Sequence, residues 1–242
     1  NIRRLINAVE GDFLAAHEIS FEALRIFEQN DDLAGIGITS RDIASIMIHE
    51  EKYEDALAYC SRSIEVLESI DNWYELNFSY QRMAIIYRNL GEFEKAHLFI
   101  QKAIGACYNL NGFRVNQGVA KLYWTKAYIY EAEGKLEQAL LQLDSSVYFA
   151  NQVNLSIDRW VFDGKGRIYL QQQKYQEALN EFQKELEIIA QYEYKVNGFE
   201  YYNTYSPVYL NLAKAHAGLK QYEQAYELTQ KNLLARDSLF EL

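Results

Sequence analysis

One short pattern returns six times along this chain and leaves little freedom over what the chain can fold into. A small or polar residue is followed, after one residue of any type, by an aromatic residue or leucine, and after two further residues by alanine. It reads Gly11-Asp12-Phe13-Leu14-Ala15-Ala16, Glu51-Lys52-Tyr53-Glu54-Asp55-Ala56, Gly91-Glu92-Phe93-Glu94-Lys95-Ala96, Gly134-Lys135-Leu136-Glu137-Gln138-Ala139, Gln173-Lys174-Tyr175-Gln176-Glu177-Ala178 and Lys220-Gln221-Tyr222-Glu223-Gln224-Ala225. The closing alanines stand 40, 40, 43, 39 and 47 residues apart. A fixed recurrence of this length means one supersecondary unit copied along the chain, each copy burying its apolar face against its neighbours.

The unit itself is a helix hairpin. Twelve residues before each alanine stands another small residue in five of six copies, Ala44, Ala84, Ala127, Gly166 and Ala213, with Arg4 the exception. Nine before it stand Tyr87, Tyr130 and Tyr169 in the central copies, flanked by Met47 and His216. Small residues let two helices approach closely, and a tyrosine fills the space beside them. First helices are predicted near 36–50, 74–90, 116–133, 157–172 and 203–219. Second helices are predicted near 12–28, 53–70, 93–110, 136–151, 175–193 and 222–238, with a truncated first helix at 1–8. A single proline among 242 residues and twelve scattered glycines suit helices joined by short turns.

These residues resemble the tetratricopeptide repeat (TPR), and the likeness runs over essentially the whole chain. It implies an all-α, right-handed superhelical solenoid of about six hairpins forming one array, with units near 1–33, 34–72, 73–113, 114–154, 155–199 and 200–242. The periods exceed the family's usual 34 and no proline closes each unit, which is similar to long-period regulatory members. The interval around Tyr192, Tyr194, Tyr201, Tyr202 and Tyr205 is the irregular point of the array and a tyrosine-rich contact surface.

The resemblance also implies that first helices line an inner wall on which ligands lie. Counting back from each alanine places Arg41 and His49 there, then Gln81, Arg88 and Asn89, then Lys121, Trp124 and Tyr128, then Trp160 and Arg167, and finally Lys214. Arginine and aromatic residues dominate binding energy where they cluster, so the wall is expected to take an extended or helical peptide of acidic character. The carboxylate-clamp specificity of chaperone-binding relatives is not implied, because Ser45, Ile85 and Tyr128 occupy its asparagine positions.

Other functional classes find little in the chain. A net charge of -10 and a pI near 5.0 exclude general attraction to nucleic acid or anionic membranes, and no apolar stretch reaches membrane-spanning length. Cys60 and Cys107 read as core thiols. His17, His49, His97 and His216 fall in four different units without metal-ligand spacing, so no metal or other cofactor is expected. Asp163-Gly164-Lys165-Gly166 lacks the strand and spacing of a phosphate loop, and Glu92, Glu94, Glu137 and Glu223 sit where a helix dipole favours negative charge. The expectation is a non-catalytic, protein- or peptide-binding module. Because the sequence opens on Asn1 and closes on a run through Arg236-Asp237-Ser238-Leu239-Phe240 similar to the exit of arrays in bacterial sensors, it reads as the sensory region of a bacterial signalling regulator. A stand-alone scaffold or assembly adaptor is the alternative.

Overall fold

A computed structural model of the chain describes residues 13–110, 113–153, 159–191 and 198–237. Eleven helices, and no strand, occur among the described residues. They are α1 (Phe13–Gln29), α2 (Leu33–His49), α3 (Tyr53–Ser69), α4 (Trp73–Asn89), α5 (Phe93–Tyr108), α6 (Phe113–Ala132), α7 (Leu136–Asn151), α8 (Arg159–Gln171), α9 (Tyr175–Gln191), α10 (Gly198–Gly218) and α11 (Tyr222–Asp237). Five hairpins run from α2–α3 to α10–α11, and α1 is the second helix of a preceding unit whose expected partner at 1–8 lies outside the described residues. Second helices begin at or within a residue of the predicted positions. First helices are less well bounded, and α10 starts five residues ahead of the expected 203.

The first residue of the repeated pattern has a conformational task. Glu51, Gly91, Gly134, Gln173 and Lys220 all lie in the left-handed region, at φ between 59° and 79°. Each stands two residues past the last residue of a first helix, and the five helices close their ends in the same way. The next backbone N–H, from Lys52, Glu92, Lys135, Lys174 or Gln221, donates to the carbonyl of Met47, Tyr87, Tyr130, Tyr169 or His216 at 2.8–2.9 Å. This is the Schellman closure, which favours glycine because Cβ is strained there. Only Gly91 and Gly134 meet the preference. Gln173→Gly is therefore expected to stabilise the protein by about 0.5–1 kcal/mol, read as a rise in the urea midpoint.

The seams are packed on small residues. Ala56, Ala96, Ala139 and Ala178 are fully buried, as are Ala44 and Ala84 at the facing position. Ala225 is only half-buried, since the next-unit face of α11 is uncovered among the described residues. Tyr175, which occupies the pattern's aromatic position, lies against Gly218 of the following unit, where an added Cβ would come within 2.4 Å of the ring.

Two recurring sets of polar ties help hold the array, and they differ in chemistry, although Arg159–Glu185 is a charged tie inside a hairpin and Gln81–Thr125 a neutral one between units. Within three of the five hairpins, the residue seven past the alanine donates to the carbonyl 26 positions earlier: Ser63 to Gly37 at 2.7 Å, Ser146 to Ala120 at 2.8 Å, and Asn232 to Ser206 at 2.6 Å. Between units, ionic pairs span 34–36 positions, Glu28 with Arg62, Arg41 with Glu75, and Glu131 with Arg167, and His17 and His97 hydrogen-bond Glu50 and Glu133 across 33 and 36 positions.

Successive first helices α2, α4, α6, α8 and α10 touch one another, whereas second helices meet chiefly the first helices on either side. The first helices thus occupy the tighter side of the stack and form its inner wall.

Candidate functional site on the inner wall

The densest side-chain chemistry of the inner wall is at its centre, on α4, α6 and α8. Successive turns of α6 present Trp124, Tyr128 and Glu131, and α8 places Trp160, Asp163 and Arg167 beside them. Trp124 and Tyr128 stack nearly parallel with centroids 6.0 Å apart. Trp124 also meets the Trp160 ring at 6.2 Å and donates its indole N–H to the Trp160 carbonyl at 3.2 Å. The shelf is not closed off, for Trp160 is 41% exposed and Tyr128 36%.

Two guanidinium groups share the Tyr128 ring, Arg88 at 3.9 Å and Arg167 at 5.3 Å from its centroid, and their charges are handled differently. Arg167 donates to Glu131 at 3.1 and 2.8 Å and also to Asp163. Burial works against its charge, but these two carboxylates hold its pKa above the ordinary arginine value. Arg88 hydrogen-bonds the amide oxygen of Asn89, and its Nη1 is buried without a hydrogen-bond partner. Its pKa is pushed down, chiefly by burial. A desolvated cation with an unsatisfied donor is a natural contact for an incoming anionic oxygen.

The remaining sequence-predicted positions divide into committed and open residues. Arg41 is buried between Asp42, at 3.1 Å, and Glu75, and lies 5.6 Å from the Phe78 ring. Burial opposes its charge, but the two carboxylates outweigh it. Gln81 ties α4 to α6 by donating to Thr125 Oγ1 at 2.6 Å. Lys121 is exposed and borders a cavity of about 180 Å³ with Tyr74, Phe78, Gln81 and Leu110. His49 and Lys214 are exposed at the ends of the wall, away from the aromatic shelf. The row of five cations is accordingly no continuous basic strip, since Arg41 and Arg167 are neutralised by carboxylates of their own or adjacent first helices.

One pair of charged residues escaped the sequence reading. Glu185 of α9 is 1% exposed, and its Oε1 accepts from Arg159 Nη1 at 3.3 Å. Arg159 in turn lies 3.9 Å over the Trp160 ring. The signal was present in the repeat, because Glu185 stands seven past Ala178, where the other described hairpins carry the uncharged Ser63, Ala103, Ser146 and Asn232.

Elsewhere the structure offers little chemistry. Cys60 and Cys107 are fully buried free thiols whose pKa values burial raises to about 12 and about 11. Gly164 and Gly166 lie inside α8 against Leu143 and Phe182, so that segment is helix rather than loop. Among the described residues no group of His, Cys, Asp or Glu is placed to hold a metal ion, and no helix is long and apolar enough to cross a membrane. The cluster of tyrosines is only partly described: Tyr192 and Tyr194 lie outside the described residues, and Tyr205 is buried in the α9–α10 core.

Comparison with known proteins agrees with this architecture. Residues 79–109 match the family model of the tetratricopeptide repeat. Among solved structures the chain is similar to BtubC (BKLC) from P. vanneervenii, with 16% identity, a TM-score of 0.72 and coverage of 97% of this chain and 93% of that one. It is also similar to a Rap protein complexed with Competence and Sporulation Factor, with 14% identity, a TM-score of 0.66 and coverage of 99% and 74%. A STAND protein with a tetratricopeptide repeat sensor from Pyrococcus horikoshii gives 20% identity, a TM-score of 0.66 and coverage of 99% of this chain but 35% of that protein. No curated protein matches the chain in sequence.

Proposed function

We propose, from the premise that this chain is a tetratricopeptide-repeat solenoid, that its inner wall binds an extended or helical peptide segment. An acidic group of the ligand meets Arg88, and an apolar or aromatic side chain rests on Trp124 and Trp160. The observation that carries this reading is Arg88 itself: a guanidinium with a buried, unpaired Nη1 beside an aromatic shelf left partly open. Asn89, Lys121, Gln81 and the cavity beside them extend the site along α4 and α6, while His49 and Lys214 would contact only the outer parts of a long ligand.

We further propose that the array is the sensory or interaction region of a bacterial signalling regulator. Support comes from its likeness in fold to a Rap protein complexed with Competence and Sporulation Factor and to a STAND protein whose repeats are a sensor. In this reading the chain has no catalytic task of its own, and the carboxylates of the inner wall serve to fix arginines.

The test is selection of random peptides on the immobilised protein, followed by fluorescence anisotropy of the selected sequences. Selected peptides are expected to pair an acidic residue with a bulky apolar neighbour and to lose affinity when Trp160 is replaced by alanine. Binders indifferent to both Trp160→Ala and Arg88→Glu would overturn the assignment to this wall.

A further inference from the structure

Glu185 occupies a register that carries a hydrogen-bond donor in three of the other four hairpins and the apolar, fully buried Ala103 in the fourth. In three other hairpins the same register holds a hydroxyl or amide that donates across the helix pair to a carbonyl 26 residues earlier. The equivalent carbonyl for Glu185 belongs to Arg159. An ionised carboxylate has no proton to donate, whereas a carboxylic acid has one. In the structure one oxygen of Glu185 meets the Arg159 guanidinium and the other, Oε2, is buried without a partner. Arg159 is thus a bridge, with one side against a core carboxyl and the other over the Trp160 ring of the inner wall.

We infer that Glu185 is a proton-operated hold on Arg159. With its proton, Glu185 fills the donor register of its hairpin and leaves Arg159 to the tryptophan shelf; without it, Glu185 draws Arg159 into the helix pair and away from Trp160. The consequence for ligands rests on the peptide-groove reading. An anionic segment on the wall competes with Glu185 for Arg159, so it binds more tightly when Glu185 is protonated, and its binding is accompanied by proton uptake.

The charged groups nearest Glu185 come from α8. On α8 it faces Arg159, Asp163 and Arg167, and Arg167 carries Glu131 of α6 as well. On its own helix Glu181 and Lys184 pair with each other at 2.7 Å. The antiparallel register set by Tyr175 against Gly218 brings the part of α10 around Tyr205, Val208 and Tyr209 to its level, with Lys214 and His216 towards the other end. Burial first, and Asp163 second, raise the Glu185 pKa to about 8 against the opposing pull of Arg159 and Arg167.

The raised value sets the direction of the stability effect. The folded state holds this proton more tightly than the unfolded state, whose carboxyl titrates near 4.5. The stabilisation is complete below that value and is lost as pH rises towards 8. Glu185→Gln, which keeps a donor at every pH, should therefore raise the melting temperature more at pH 8 than at pH 5.

The deciding experiment needs no ligand. In Trp73→Phe protein, which retains Trp124 and Trp160, tryptophan emission is followed from pH 5.5 to 9. A single transition near pH 8 is expected. Glu185→Gln should abolish it, Asp163→Asn should shift its midpoint downward while preserving it, and Trp160→Phe should remove most of its amplitude. Absence of the transition, or its survival in Glu185→Gln protein that circular dichroism shows to be folded, overturns the inference. A fluorescein-labelled peptide of alternating glutamate and leucine then probes the wall at pH 6.5 and 8.5. Its affinity should fall with pH by at most about tenfold per unit, the limit for one linked proton, and should be flat in Glu185→Gln. A probe that binds at neither pH counts against the peptide groove alone, because the emission titration decides the role of Glu185 without it.

Discussion

Replacing Phe182 with alanine is expected to cost about 3–5 kcal/mol, at the upper end for a core truncation. Among the described residues Phe182 is the bulkiest of the fully buried side chains, and it sits in the α9 cluster with Ala178, Leu179, Leu212 and Ala215. Its ring fills space that other units fill differently. The residue facing it on α8 is Gly166, where the remaining hairpins have alanine, and a Cβ there would come within 2.4 Å of the Phe182 ring. The two positions are therefore a matched pair, a large residue on one helix offset by the loss of a methyl on the other. Gly166→Ala alone should overpack the seam by about 1–3 kcal/mol. Gly166→Ala with Phe182→Leu should lose much less than the two single changes together, a coupling measurable by urea denaturation in a double-mutant cycle. Simple additivity would mean that the glycine is there for another reason.

Charge reversal at Arg88 is the second large effect. Arg88→Glu places a carboxylate against the Tyr128 ring and near Glu131, so it removes the only unpaired guanidinium donor described on the shelf and adds repulsion to any acidic ligand. Peptides selected on the wild-type protein should bind at least about 30-fold more weakly, in the range of about 2 kcal/mol or more that marks a central hot spot. The equivalent change at Lys214, an exposed residue at the end of the wall, should alter affinity by less than about threefold, as expected of a peripheral, solvent-screened charge. Anisotropy titrations at fixed ionic strength separate the two, and equal losses at Arg88 and Lys214 would point to general electrostatics rather than a defined site.

Much of the fold was legible because the repeated residues have backbone consequences. An alanine at a fixed interval marks where two helices approach, and the residue five before it marks where the chain turns through a left-handed conformation, so second helices were placed closely. The start of α10 was not, because no periodic residue marks where a first helix begins. The inner wall was legible only as a set of positions. Which of its cations remain open depends on carboxylates 34 to 36 residues away, Glu75 for Arg41 and Glu131 for Arg167, and periodicity alone does not report those rotamers. Glu185 was readable in principle as the one ionisable residue in a column otherwise of Ser63, Ala103, Ser146 and Asn232, yet its weight comes from burial, which only the folded chain supplies.

The division of polar ties described above gives the molecule two different responses to dissolved salt. Hydroxyl and amide bonds inside the hairpins are indifferent to mobile ions, whereas the carboxylate–guanidinium pairs of Glu28 with Arg62 and of Glu131 with Arg167 between units are partly exposed and are screened over about 8 Å at physiological ionic strength. Raising sodium chloride should loosen the coil without melting its turns. Small-angle scattering is expected to record a longer, softer particle at 1 M salt than at 50 mM, while the helical content seen by circular dichroism stays constant.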